Sequence, residues 1–279
     1  MGNIAAPALY MGRPITTENA EKVFLYIYQK YVHREGADKF INWLCNETDF
    51  LTAPASTRFH LSVPHGLVLH SVHVYLRLRE LYMTERAQQI VRERYTSDPS
   101  QMQERLLEAD VPLSAEEEET LAIIGLLHDI CKANCYVVEQ KNFKNYDEKA
   151  VENMRKTAPR EVKSDSKGAF FWDTRQQYSF EDHRPMGHGC KSTSLCFRHG
   201  LTLTETEEYA ILWHMGAWGL SDVRELSNAF TLQPLCVLTH TADMFATYLD
   251  EYEDDVADYR NDILSMFPQT TNDAASSDV

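Results

Sequence analysis

The feature that most constrains this chain is the stretch LAIIGLLHDICK, residues 121–132, where an apolar run carries straight into a histidine and an aspartate. A helix that is apolar on every face belongs at the centre of a fold, not on its surface. His128 and Asp129 are therefore expected to be carried into the core. An isolated carboxylate there costs several kcal/mol or more unless it is paired. Two partners are open to it: a hydrogen-bonded imidazole, or a divalent cation. The dipeptide alone does not choose between them, since a chain with 11 histidines meets one His-Asp pair by chance about as often as not.

Four other places repeat the pattern of a polar group in an apolar setting. His70 lies in GLVLHSVHV, His188 in MGHGCKS, His214 in ILWHMGAW and Asp243 in LCVLTHTADMFATY. Each alone reads as a satisfied core residue or a cap. Together with His128 and Asp129 they supply four imidazoles and two carboxylates on separate helices. That is enough donors for two divalent cations about 3.5–4 Å apart. A mixed nitrogen and oxygen set favours Mn, Fe, Co, Ni or Zn, with Mg also admissible.

The rest of the chain supports a mainly helical reading. Thr17 is expected to cap a helix over 18–33, followed by a short helix over 37–46 and a loop over 48–65 with two prolines. A long helix is expected from Gly66 to Thr96, and another from Asp98-Pro99 to 109. Ser114 with Glu117, and Thr204 with Glu207, have capping-box spacing. A helix over Gly189–His199 should stop at Gly200, and Pro234 suits the first turn of a last helix over 234–252. Residues 140–187 lose the helical period, and AFFWDTRQQYSF (169–180) alternates as a short hairpin would. The chain thus divides into a helical extension over 1–57, a body over 58–252 with an insertion at 140–187, and an acidic tail over 253–279 expected to be disordered.

The order His70, His128-Asp129, His188, His214, Asp243 resembles the HD-domain metal-dependent phosphohydrolases. The phrases FHLSVPHGLVLHS, IIGLLHDICK, WHMGAW and THTADMFATYLDE are similar to that family's blocks over roughly 58–252. The nearest flavour is that of bacterial and phage HD hydrolases and HD-domain 3′→5′ exoribonucleases. The resemblance implies an all-α, HD-domain-like helical bundle. It implies one cation on His70, His128, Asp129 and Asp243, with Asp129 bridging to a second on His188 and His214. It also implies phosphoester hydrolysis by a metal-activated water, with Asp129 and Lys132 in catalytic positions. Where the family has Gly-Gly before Leu67 this chain has His65-Gly66, and Cys131 replaces the glycine before Lys132.

Other residues are candidates for substrate or support. Lys132, His73, Lys191, Arg184 and Trp218 are candidate substrate contacts. His240 shares a face with Asp243, His183 stands near His188, and His60 and His65 fall near the expected mouth. Phe170, Phe171, Trp172 and Tyr178 either pack the insertion onto the body or cover the site.

Charge and composition limit the function classes. A net charge of -15, with nine acids and one base over 250–279, argues against duplex nucleic acid, which needs Lys and Arg on phosphates. A small phosphorylated substrate, such as a nucleotide, remains compatible. Six scattered cysteines without a Cys-x2-Cys pair read as free thiols, hence a cytoplasmic location. The first residues lack a secretory pattern, and no apolar run is long enough for a membrane span. Three readings follow: a nucleotide phosphomonoesterase; a phosphodiesterase or 3′ exonuclease on cyclic nucleotide or single-stranded nucleic acid; and a non-catalytic metal- and ligand-binding module. No Gly-x-Ser-x-Gly elbow favours a serine hydrolase.

Overall fold

A computed structural model describes residues 9–10, 13–94, 112–219 and 223–251. The expected helix over 98–109 and the acidic tail over 253–279 lie outside these residues. The fold is mostly helical, with a three-stranded sheet and a short two-stranded pair among the described residues. In chain order the elements begin with a two-residue pair, β1 (Leu9–Tyr10) and β2 (Arg13–Pro14), then α1 (Ala20–Tyr31), α2 (Ala37–Asn46), α3 (Gly66–Arg94) and α4 (Ala115–Leu127). A 3₁₀ turn at Ile130–Lys132 leads to β3 (Tyr136–Asn145), α5 (Glu148–Thr157), β4 (Lys163–Asp165) and β5 (Gly168–Phe180). The chain closes with α6 (His188–Arg198), α7 (Glu205–Trp213), α8 (Val223–Leu232) and α9 (Pro234–Phe245), and a π turn at Ala246–Asp250.

The apolar run of α4 is the centre of the molecule. Leu121 through Leu127 are all buried, with α3, α1 and α7 packed around them. Gly125 lets α3 and α4 approach closely: a Cβ there would lie 2.4 Å from Tyr75 Cα. Gly189 does the same where α6 meets α7, since its Cβ would fall 2.2 Å from the Leu212 carbonyl oxygen. Both contacts sit within a few residues of a proposed ligand.

Two capping boxes start α4 and α7. Ser114 Oγ accepts from Glu117 N–H, Thr204 Oγ1 accepts from Glu207 N–H, and both glutamates reach back to their caps. Glu207 is fully buried, so its charge needs more than the cap. Arg34, just after α1, supplies it through two bonds of 2.6 and 2.8 Å, and also reaches Glu119 of α4 at 3.2 Å. Thr120 Oγ1 donates to Glu207 as well (3.0 Å). One guanidinium thus ties the N-terminal ends of α4 and α7, the two helices whose C-terminal ends carry His128 and His214.

Several local expectations are corrected. The first helix starts at Ala20 with Asn19, not Thr17, at its cap; Asn19 Oδ1 accepts from Thr16 N–H (2.8 Å). Residues 169–180 are not a hairpin but most of the single strand β5, because they contain no turn residue. Its main partner is β3, which begins at Tyr136, so the insertion starts four residues before 140; β4 pairs on the other edge, giving the order β3-β5-β4. The last helix is α-helical only to Phe245 and then widens into the π turn. Phe170 is buried against Tyr146, whereas Trp172 is exposed; the aromatic residues here mainly build the insertion's own small core. Among the described residues no helix is long and apolar enough to cross a membrane.

Candidate metal centre

The six residues singled out as ligands come together at one place. His128 and His214 occupy equivalent positions, each the C-cap of its helix. The apolar run therefore ends one residue before His128, and Asp129 sits in the bend leading to the 3₁₀ turn rather than inside a helix. His70 comes from the second turn of α3, His188 opens α6, and Asp243 comes from the last turn of α9.

Asp129 is the hub. His188 Nε2 is 2.6 Å from its Oδ1 and His214 Nε2 is 3.4 Å from the same atom. His70 Nε2 and His128 Nε2 are each 3.6 Å from Oδ2, and Lys132 Nζ is 2.7 Å from it. Lys132 reaches Asp129 from the 3₁₀ turn and also donates to the Ala55 carbonyl (3.0 Å). Asp243 Oδ1 is 3.3 Å from His70 Nε2.

Hydrogen bonds fix the histidine tautomers. A carbonyl oxygen only accepts, so Nδ1–H of His128 donates to the Gly125 carbonyl (2.9 Å) and Nδ1–H of His214 to the Ile211 carbonyl (2.6 Å). Nδ1–H of His70 donates to the carboxylate of Glu251 (3.0 and 3.1 Å). In all three neutral rings this leaves Nε2 with a bare lone pair aimed inward. His128 Nε2 and His70 Nε2 are 3.2 Å apart, and His214 Nε2 is fully buried with no hydrogen-bond partner. Converging lone pairs repel unless a proton or a cation lies among them. This donor set, with two carboxylates beside it, fits divalent cations. The clusters His70–His128–Asp243, His128–Asp129–His214 and Asp129–Cys131–His188 each gather their donor atoms within 4.8 Å.

Without a cation, protons do the same work. Burial opposes charge on His70, yet Glu251 and Asp243 overcome it and carry the ring up to about 10. Burial, followed by the neighbouring His214 and His70, pushes His128 down to about 4 despite Asp129. Burial also lowers His188, while Asp129 raises His214 against burial. Burial opposes the charge of Asp129 too, but Lys132 and the histidines hold it well below the usual carboxylate range.

No family model, curated protein or solved structure matches this chain.

The remaining candidates divide by position. His73, a candidate either to support the ligands or to touch substrate, is buried with Nδ1 donating to Glu251 (2.9 Å), beside the bond that Glu251 takes from His70. Lys191 is buried in an ion pair with Asp182, and it lines a separate cavity with Arg184 on the far side of Cys131. Both cations, candidate substrate contacts from the sequence, line that cavity. Trp218 is 69% exposed, its ring centroid 6.0 Å from that of His240, whose Nδ1–H donates to the His214 carbonyl (2.7 Å). His183 is exposed beside Glu181, and His188 is the one that reaches Asp129.

Two residues of the centre went unassigned from sequence. Glu251 orients His70 and His73, but in sequence it opens the acidic tail and reads as part of it. The signal was the apolar phrase FATYL just before it. Asp250 beside it pairs with Arg77 of α3 at 2.6 and 2.8 Å, so both acids anchor the π turn to α3. Cys131 stood only as a departure from the family pattern. His60 stacks on His70 (centroids 4.9 Å apart) with neither ring nitrogen hydrogen-bonded. It belongs to the loop that, with Thr57, Arg58 and Ser62, faces Val138, Phe143 and Tyr178 of the sheet across an open groove.

Proposed function

We propose that this chain is an HD-type, metal-dependent phosphohydrolase acting on a nucleotide or a related small phosphoester. The observation that carries the reading is the set of inward lone pairs on His70, His128 and His214, gathered around Asp129 and Asp243. Hydrogen-bonded pairing within a core would satisfy such atoms; here His214 Nε2 makes no hydrogen bond in full burial, and Asp129 Oδ1 stands 3.4 Å from it. His70, His128, Asp129 and Asp243 would hold one cation, and Asp129, His188 and His214 a second. Such cations lower the pKa of water and neutralise charge developing on phosphoryl oxygens.

The chain's own groups orient this centre and meet the substrate. Glu251 keeps the Nδ1 proton on His70, and the Gly125 and Ile211 carbonyls do so for His128 and His214. Lys132 places a cation beside Asp129, where a phosphoryl oxygen can share it. His60 offers an unpartnered imidazole next to His70, and the groove beside its loop, with Arg58 and Tyr178 on its walls, would take the rest of the substrate. A cytoplasmic location belongs to the same proposal and rests on six free thiols.

The test pairs elemental analysis of wild type and Asp129→Ala with hydrolysis of an aryl phosphodiester and a nucleotide panel in added Mn. About two cations per chain, lost together with hydrolysis in the variant, is the expected result. No bound cation in metal-replete buffer, with unchanged stability of Asp129→Ala, overturns it. Release of inorganic phosphate separates a monoesterase from a phosphodiesterase or 3′ exonuclease. Cation binding without turnover of any phosphoester assigns a ligand-binding module.

A further inference from the structure

We propose that the cavity between α2, the turn at 131–135 and the segment 182–191 is a binding site for a small oxyanion, inorganic phosphate or a short carboxylic acid, held by Lys191 and Arg184. Cys131 separates it from the Asp129 cluster, and the inference does not rest on the reading of that cluster as a cation centre.

The cavity measures about 80 Å³. About 10–15 Å³ of such space suffices for one water, so it takes several waters or one oxyanion with a short carbon skeleton, and not a whole nucleotide. Trp43, Ala133 and Leu195 give it apolar walls. Water competes poorly for a charged hydrogen bond made against such walls.

Lys191 carries the argument. It stands in the first turn of α6 and is only 5% exposed. A buried ammonium is costly unless its donors are used. Its Nζ has three N–H donors, and among the described residues its side chain has one partner, Asp182, at 2.5 Å. Two donors on a buried cation are left for an occupant of the cavity. The acid that takes the third is itself 42% exposed, so a wish to bury Asp182 does not explain why the lysine is buried.

Arg184 is the independent observation. Its backbone N–H donates to Asp182 Oδ1 (3.0 Å), which fixes the turn that carries it beside the cavity. Its exposed guanidinium has no hydrogen bond or ion pair among the described residues. Lys191 and Arg184 against Asp182 leave the cavity positive in a chain whose net charge is -15. A planar fork of N–H donors next to a buried ammonium matches the paired oxygens of a phosphate or a carboxylate.

Isothermal titration of the chelator-treated full chain with inorganic phosphate, and separately with succinate, tests the site. One saturable event per chain with at least one of the two is expected; binding of phosphate alone assigns a phosphoryl group, and of succinate alone a carboxylate. Lys191→Met and Arg184→Gln should each weaken it at least about tenfold. Arg184 is exposed, so its variant keeps the test decisive should Lys191→Met fail to fold. Asp182→Asn removes the competing acid and should tighten binding about fivefold or more. A brace made only of Lys191 and Asp182 predicts no such gain. No saturable event with either anion, wild-type affinity in Arg184→Gln, or no gain in Asp182→Asn overturns the proposal. The cation count at Asp129, read by elemental analysis of untreated protein, stands or falls separately.

Discussion

Glu251→Gln isolates the orientation of His70 from its presence. The glutamate carboxylate accepts from His70 Nδ1–H (3.0 and 3.1 Å) and from His73 Nδ1–H (2.9 Å), and His60 Nδ1 is 3.8 Å away. Glutamine keeps the shape and one acceptor but removes the charge that makes His70 Nε2 a strong donor. Removing such an outer partner typically costs about 10–100-fold in metal affinity. At about 1.4 kcal/mol per tenfold this is about 1.4–2.8 kcal/mol. Isothermal titration of the metal-free variant with Mn or Zn measures it. The effect should fall on the cation that His70 holds, so one binding event weakens while that on His188 and His214 persists. Two events of wild-type affinity would refute the reasoning, because Glu251 would then be a C-terminal anchor alone. Loss of folded structure is excluded by far-ultraviolet circular dichroism of the same sample.

The other predictions address the frame and its titration. Arg34→Ala strands the buried Glu207 carboxylate and should destabilise the chain by about 3–5 kcal/mol in urea unfolding; under about 1 kcal/mol would show the pair to be incidental. Gly125→Ala places a Cβ 2.4 Å from Tyr75 Cα and should cost about 1–3 kcal/mol or more by forcing α3 from α4, with weaker cation loading measured alongside. The metal-free protein should be most stable near pH 6.5. His70, raised from 6.5 to about 10, gives stability that is full below 6.5 and lost as pH rises through 10; His128, lowered to about 4, makes the unfolded chain bind the extra proton, so stability also falls from 6.5 downward. Added cation should remove most of the alkaline loss by replacing the His70 proton, and an unchanged urea midpoint profile would contradict this.

Much of the frame is legible along the chain because it is written in local chemistry. The capping boxes at Ser114 and Thr204, the αL stop at Gly200 and Pro234 at its helix start all depend on residues a few positions apart. The errors have local causes as well. Alternation in 169–180 speaks for a strand but not for its partner, and most of β3 falls in the insertion expected over 140–187, where the sequence marks no second strand. Lys191 and Arg184 were candidates on sequence proximity to His188, but α6 points Lys191 into its own pair with Asp182.

The sequence by itself determined that His128 and Asp129 would be buried, since no other placement suits the run that precedes them. It also singled out the four further polar residues that accompany them. What the tertiary structure alone decided is which atoms face inward. The Nδ1 bonds of His128 and His214 run to carbonyls three residues back, but that of His70 runs to Glu251, 181 positions away. Cys131 meets His188 across 57 positions and Arg34 meets Glu207 across 173. Burial is a property of a segment's composition, so it can be read from one stretch of chain. The direction of a lone pair is set by whatever the opposite nitrogen touches, and that partner is chosen only when distant segments pack.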